Sequence, residues 1–242
     1  METSATAQFE QNTYGRIAAP LHTILVLAVQ GILAVRGLLH INATHAKVNL
    51  NRVAMYERTI LTEWLLFALM ILGVWLHGSS LFTVLGDRWR SALAVLKDIG
   101  IAAAFWIVST GILSILGAHS HSGAPDRAVQ FLLPQGRFEM FLWIVLSITA
   151  GICEEAVFRG YYQTQFIALT KSAPIGILLS AVAFGAAHSY QGLGGAIRIG
   201  LQGVLLGILA NWRKSVRPGM IAHAWGDIFA GALARLMKIP VG

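Results

Sequence analysis

The sequence predicts an all-α, polytopic membrane protein of seven or eight transmembrane helices, folded as one integral membrane domain over residues 1–242. Three observations carry this. Hydrophobic residues make up 56% of the chain and charged residues only 12%, against about 25% charged in a soluble domain. The apolar residues fall in long blocks instead of alternating with polar ones. The net charge of +7 comes from Lys and Arg that lie mostly in short connections between the blocks, where membrane topology places them. The basicity is therefore topological, and no nucleic-acid partner is expected.

Seven blocks qualify as spans: about Ala18–Leu39, Thr59–Leu76, Ile99–Leu116, Phe138–Cys153, Ala173–His188, Gly195–Trp212 and Met220–Leu236. About 20 helical residues cross the hydrocarbon core at 1.5 Å each. Several blocks are shorter, so their ends must be anchored or the bilayer locally thinned. The fourth block should continue past Cys153 toward Phe166, which puts its charged residues on a helix. Phe82–Lys97 carries Asp87, Arg88, Trp89 and Arg90 ahead of Leu93, Val95 and Leu96. That pattern reads as an interfacial amphipathic helix, or as part of an eighth span. His119–Gln135, with Gly123, Pro125 and Pro134, reads as a connection in which His119 and His121 are solvated.

The leader Met1–Arg16 has Glu2, Glu10 and a single Arg, so it lacks the positive start of a secretory signal. The first block is expected to stay as a helix of the mature protein. Lys and Arg are spread almost evenly over the two sides of a seven-span topology. The single cysteine, Cys153, excludes an internal disulfide and a Cys-based metal site. Gly203-x-x-x-Gly207 in the sixth block offers a close helix-packing surface. No repeat, linker or second domain is visible.

Ionisable residues inside spans carry the functional information, since each costs about 2.5–3.5 kcal/mol or more at a helix centre on insertion scales. Three clusters stand out. In Glu154-Glu155-Ala156-Val157-Phe158-Arg159, Glu155 and Arg159 are four apart and share a helix face. Glu154 points about 100° away, leaving one carboxylate paired and one free for acid–base work. Phe184-Gly185-Ala186-Ala187-His188 ends the fifth block, with small residues beside the imidazole. His223-Ala224-Trp225-Gly226-Asp227 places a His and an Asp on one face of the last block. Each cluster alone has a structural explanation. Together they bring Glu, Glu, Arg, His, His and Asp from three helices, the groups that ligate a divalent metal or activate a water. Glu63 lies near the start of the second block and Arg36 near the end of the first, where snorkelling serves both.

Glu154-Glu155-x-x-x-Arg159, then Phe184-x-x-x-His188, then His223-x-x-x-Asp227, resembles the three-motif signature of the CPBP intramembrane proteases. That family includes type II CAAX prenyl endopeptidases and Abi-like proteins linked to bacteriocin processing or self-immunity. The extended first motif, Glu-Glu-x-x-Phe-Arg-Gly, also fits at Phe158, Arg159 and Gly160. Motif order and spacing agree over about Phe138–Leu236, which is marked as the catalytic core, 138–236.

The resemblance implies a membrane-bound hydrolase, in the plasma membrane of a bacterium. Its substrate would be a membrane-associated peptide or protein, lipid-modified in the prenylated CAAX case. It implies Glu154 as the base that activates a water, with His188 as partner. Glu155, Arg159 and Phe184 would support the site. His223 and Asp227 would stabilise the oxyanion or, with Glu154 and His188, complete a zinc site. The family is usually called metalloproteases, and a metal-free glutamate mechanism has also been argued for it. Two alternatives belong to other classes. A proton-coupled transporter would also use intramembrane Glu, His and Asp, but it would spread them through both halves with an inverted repeat. A catalytically silent immunity or scaffold relative would keep the fold without turnover.

Overall fold

A computed structural model describes residues 15–44, 51–118 and 132–236 of the chain. The leader up to residue 14 and the segment 119–131, with His119 and His121, lie outside the described residues. Among the described residues there is helix and no strand. The long elements are α1 (Pro20–Thr44), α2 (Arg52–Leu76), α4 (Ala92–Ala118) and α5 (Arg137–Glu154). The last of these runs through a π-helical stretch (Glu155–Tyr162) into α6 (Gln163–Thr170). Then come α7 (Ala173–Ala187), α8 (Gly192–Arg213) and α9 (Arg217–Leu236). A short α3 (Leu81–Leu85) joins α2 to α4.

Each of the seven apolar blocks falls on one of these helices, and the fourth continues past Cys153 as its sequence requires. Five stretches are long and apolar enough to cross a membrane: Pro20–Leu39, Arg52–Leu76, Ala92–Leu116, Arg137–Thr170 and Ser189–Arg213. Ala173–Ala187 is apolar but shorter. The outer faces carry exposed Leu21, Leu65, Trp75, Ile107 and Val182, as lipid-facing surfaces do. The packed core instead centres on α2, α3, the π-helical stretch and α7, with Met70, Val84, Ala156, Phe158, Tyr161 and Phe184 buried together.

Local chemistry starts the helices. Asn51 accepts from the Ala54 amide at 3.1 Å and begins α2. Ser172 caps α7 with Pro174 in its first turn. Glu139 accepts from the Gln135 amide at 2.7 Å and from the Gly136 amide at 3.4 Å, closing the start of α5.

The expected interfacial helix over Phe82–Lys97 is not formed. The region divides at Gly86, whose φ of +87° favours glycine. A Cβ there would stand 2.7 Å from the Lys214 carbonyl. Beyond the break, Arg217 donates to the Gly86 carbonyl at 2.9 Å and to the Asp87 carbonyl, and its guanidinium lies over Trp89. Asp98 accepts from Trp89 Nε1 at 2.8 Å and from Arg213 at 2.9 Å. Asp98, Arg213 and Arg217 thus knot this stretch to α4, α8 and α9 at one end of the bundle.

Small residues set the helix spacing. A Cβ on Gly151 would meet the Met220 carbonyl at 2.7 Å and the Ala224 side chain at 3.0 Å, so α5 and α9 touch backbone to backbone. Gly203 and Gly207 are both buried, the first against Ala181 and the second against Ile177. Overpacking costs about 1–3 kcal/mol. Gly151→Val is therefore expected to lower the unfolding midpoint in detergent, whereas Gly100→Val, where nothing lies within 4 Å, should not. Equal midpoints for the two variants would contradict this contact.

Candidate active site

The first motif sits where α5 passes into the π-helical stretch Glu155–Tyr162, all eight residues of which are buried. A π-helix bonds i→i+5, is rare, and is frequent at functional sites. Neighbours hold it in place. Gly160 lets the Val84 carbonyl of α3 approach to 2.6 Å from the point a Cβ would occupy. Ser180 of α7 donates to the Phe158 carbonyl at 2.6 Å. Gln165 donates to the Ala18 carbonyl at 2.9 Å and to Thr23 at 2.7 Å, and Tyr161 bonds His22 at 2.8 Å, tying α1 to the same segment.

Glu155 has 0% of its surface exposed. It accepts from Arg159 Nη1 at 3.0 Å, the pairing that the i,i+4 spacing predicts. It also accepts from His223 Nδ1 at 3.0 Å, which the sequence does not reveal. Arg159 is buried as well, with its guanidinium 4.0 Å from the Phe184 ring centroid. Gly203 leaves it room, since a Cβ there would stand 3.1 Å from Arg159 Nη2.

Phe184 is the hub of the site. Its ring meets those of Phe158 at 4.9 Å, His188 at 4.8 Å and His223 at 6.0 Å, all edge-on. Its carbonyl accepts from His188 Nδ1 at 2.9 Å. That bond fixes the His188 tautomer and leaves Nε2 free. His188 ends α7 as its cap residue.

Glu154 occupies the centre and is only 15% exposed at its side chain. Oε1 stands 3.8 Å from His188 Nε2 and Oε2 stands 3.6 Å from His223 Nε2. Both distances exceed a direct hydrogen bond. His223 Nε2 is also 3.6 Å from Asp227 Oδ2, with Asp227 the more exposed partner at 42%. Trp143 Nε1 donates to the Asp227 carbonyl at 2.8 Å and locks that turn of α9. All the motif residues named in the sequence, Glu154, Glu155, Arg159, Phe184, His188, His223 and Asp227, therefore come together. Glu154, Phe184, His188, His223 and Asp227 line one open cavity that also touches α1, α2, α4 and α8.

One residue was misjudged from the sequence. Because α2 begins at Arg52 rather than near Thr59, Glu63 lies well inside the helix, where snorkelling to the headgroups does not explain it. It lines the same cavity as Glu154. The signal available was a lone carboxylate in an apolar run.

Zinc needs several His or carboxylate donors closing on one point at about 2.0–2.2 Å. Among the described residues no group of three or more His, Cys, Asp or Glu is arranged to do so. The donor set as placed does not fit a metal centre.

Residues 136–229 match the sequence pattern of the family described as Type II CAAX prenyl endopeptidase Rce1-like. The match spans all three motifs and bears out the resemblance they carry. No curated protein and no solved structure matches the chain significantly. Replacing Arg159 with Met would leave Glu155 buried and half-paired, at a cost of about 3–5 kcal/mol. Thermal unfolding of Arg159→Met in detergent should show a large drop in midpoint, and a wild-type midpoint would contradict the pairing.

Proposed function

We propose that this chain is an intramembrane endopeptidase that hydrolyses a peptide bond of a membrane-associated substrate, of prenylated CAAX or bacteriocin-related type, using a water activated by Glu154 and His188. The reading starts from the similarity of residues 136–229 to the Rce1-like prenyl endopeptidases. The single observation that carries it is the position of the Glu154 carboxylate, 3.8 Å from His188 Nε2 and 3.6 Å from His223 Nε2 on other helices. In this proposal all seven long helices span the bilayer and the polar site lies within it.

The mechanism follows from the donors and acceptors. A water between Glu154 Oε1 and His188 Nε2 donates one hydrogen to each. Glu154 takes one of these protons as the oxygen attacks the scissile carbonyl. His223, as an imidazolium, donates from Nδ1 to Glu155 and from Nε2 toward the oxyanion, with Asp227 orienting it from the solvent side. Glu154 then returns its proton to the leaving amine, the C–N bond breaks, and the base is ready for another turn. Charge at His223 is tolerated because buried Glu155 faces it. No step is routed through a metal.

The cavity suits such a substrate. Glu154, His188, His223 and Asp227 form one wall, while Leu33, Leu113, Ile197 and Leu201 form apolar walls. A prenyl chain would find apolar surface beside the water-activating pair. General acid–base groups contribute about 10²–10⁴-fold. In purified, detergent-solubilised protein, Glu154→Gln and His188→Ala are each expected to lower kcat on a farnesylated peptide by that order. Full peptidase activity in Glu154→Gln would remove the mechanism. A folded wild-type protein without peptidase activity would favour a silent relative.

A further inference from the structure

The cavity holds a second set of charged side chains that the mechanism above does not use. Arg36 of α1, Arg58 of α2 and Arg198 of α8 all line it, and all three are exposed. Each lies within a stretch long and apolar enough to cross a membrane. Arg159 and Arg213 are paired with carboxylates and Arg217 with carbonyls, whereas these three have no ion-pair or hydrogen-bond partner among the described residues. An arginine inside a span faces a partner or a watery cavity and marks a substrate path.

The fold gathers the three at one end. His22, near the start of α1, bonds the Leu69 carbonyl in the second half of α2 at 3.0 Å, so the two helices run antiparallel. Arg36 and Arg58 therefore share the other end of that pair. A Cβ on Gly37 would stand 3.9 Å from the Tyr190 ring, which brings the start of α8 to the same end. On α8, a Cβ on Gly203 would meet Arg159 at 3.1 Å and Phe184 at 3.2 Å, so Gly203 marks the level of the site. Arg198 comes five residues earlier, a rise of about 7.5 Å. On α2, Leu66 packs in the core with Val157 and Phe158, and Arg58 precedes it by eight residues, a rise of about 12 Å.

We propose that Arg36, Arg58 and Arg198 form a cationic mouth that binds the C-terminal carboxylate of the substrate peptide and so directs cleavage to a bond near a free C-terminus. This inference rests on the reading of the cavity as a peptidase site. A CAAX-type peptide carries its carboxylate three residues beyond the scissile bond, a reach of about 10 Å when extended. That reach matches the offset of the arginines along α8 and α2. A guanidinium offers a carboxylate two parallel N–H donors. Glu63, Glu154 and Asp227 line the same cavity and repel the terminal charge, which orients the peptide with its C-terminus toward the arginines. The three are specificity residues and touch no reacting atom.

The test compares a farnesylated CAAX peptide with the same peptide bearing a C-terminal amide. Binding of each is measured by fluorescence anisotropy to full-length Glu154→Gln protein in phosphatidylcholine nanodiscs. The acid is expected to bind about 10–100-fold tighter than the amide, the range for hydrogen bonds to a charged group, and the preference should shrink at high salt. Adding Arg198→Met, Arg58→Met or Arg36→Met should weaken the acid about 5–20-fold and leave the amide unchanged. The triple variant should bind the two alike. Equal binding of acid and amide before any arginine is changed would overturn the proposal. So would variants that weaken both peptides equally. A loss common to both peptides that appears only in discs of anionic lipid would assign the arginines to headgroups, and it overturns the proposal as well. Where one Met variant fails to fold, the other two, on separate helices, carry the same comparison. Binding needs no turnover, so an absence of cleavage by the wild-type protein contradicts the peptidase reading alone.

Discussion

A carboxylate with no exposure to water has to be surrounded by donors, and Glu155 is surrounded by two of them from different helices. Arg159 reaches it from one turn along its own segment and His223 reaches it from α9. Satisfying that one charge therefore fixes where α9 stands against α5. It also turns the other nitrogen of His223 toward Glu154 and Asp227. Arg159 is itself boxed in, with Phe184 over its face and Gly203 at its end. Through Phe184 the same ion pair positions α7 and the His188 imidazole. An isolated pair of this kind often fails to repay its desolvation. Its worth here is geometric, since three helices are registered by one buried charge.

The free carboxylate next to it gains its role from that arrangement. Glu154 precedes it on the same helix and faces the cavity, so in the proposed function the chain presents one carboxylate to chemistry and the next to structure. The N-terminal helices close the other side. α1 is bonded to the π-helical stretch through His22 and Thr23, which both meet Tyr161, and to α6 through Gln165, while α2 carries Glu63 to the cavity. The half of the chain that lacks the motifs is thus built into the same cavity.

Much of this was legible in the sequence because intramembrane charges are expensive and therefore few. Glu154, Glu155, Arg159, His188, His223 and Asp227 could be picked out as residues with no cheap reason to be in apolar blocks, and i,i+4 spacing paired Glu155 with Arg159. What spacing could not show was contact between helices. The bond from His223 to Glu155 joins residues far apart in the chain, and no local pattern encodes it. The same holds for the break at Gly86, which follows from the approach of Lys214 and Arg217. Glu63 was misread because an apolar window located the second helix too late. Asn51, a capping residue just before Arg52, was the boundary signal. The π-helical stretch had no visible mark in the sequence.

The central claim is that the cluster around Glu154 delivers water to a peptide bond inside a membrane protein. The direct measurement is mass spectrometry of products formed by the wild-type protein in lipid nanodiscs, given a farnesylated CAAX peptide in ¹⁸O-labelled water. The claim predicts a shortened prenyl peptide with ¹⁸O in its new C-terminal carboxylate, together with the released tripeptide. Intact substrate after prolonged incubation with folded protein, or cleavage without ¹⁸O in the new carboxylate, would contradict it.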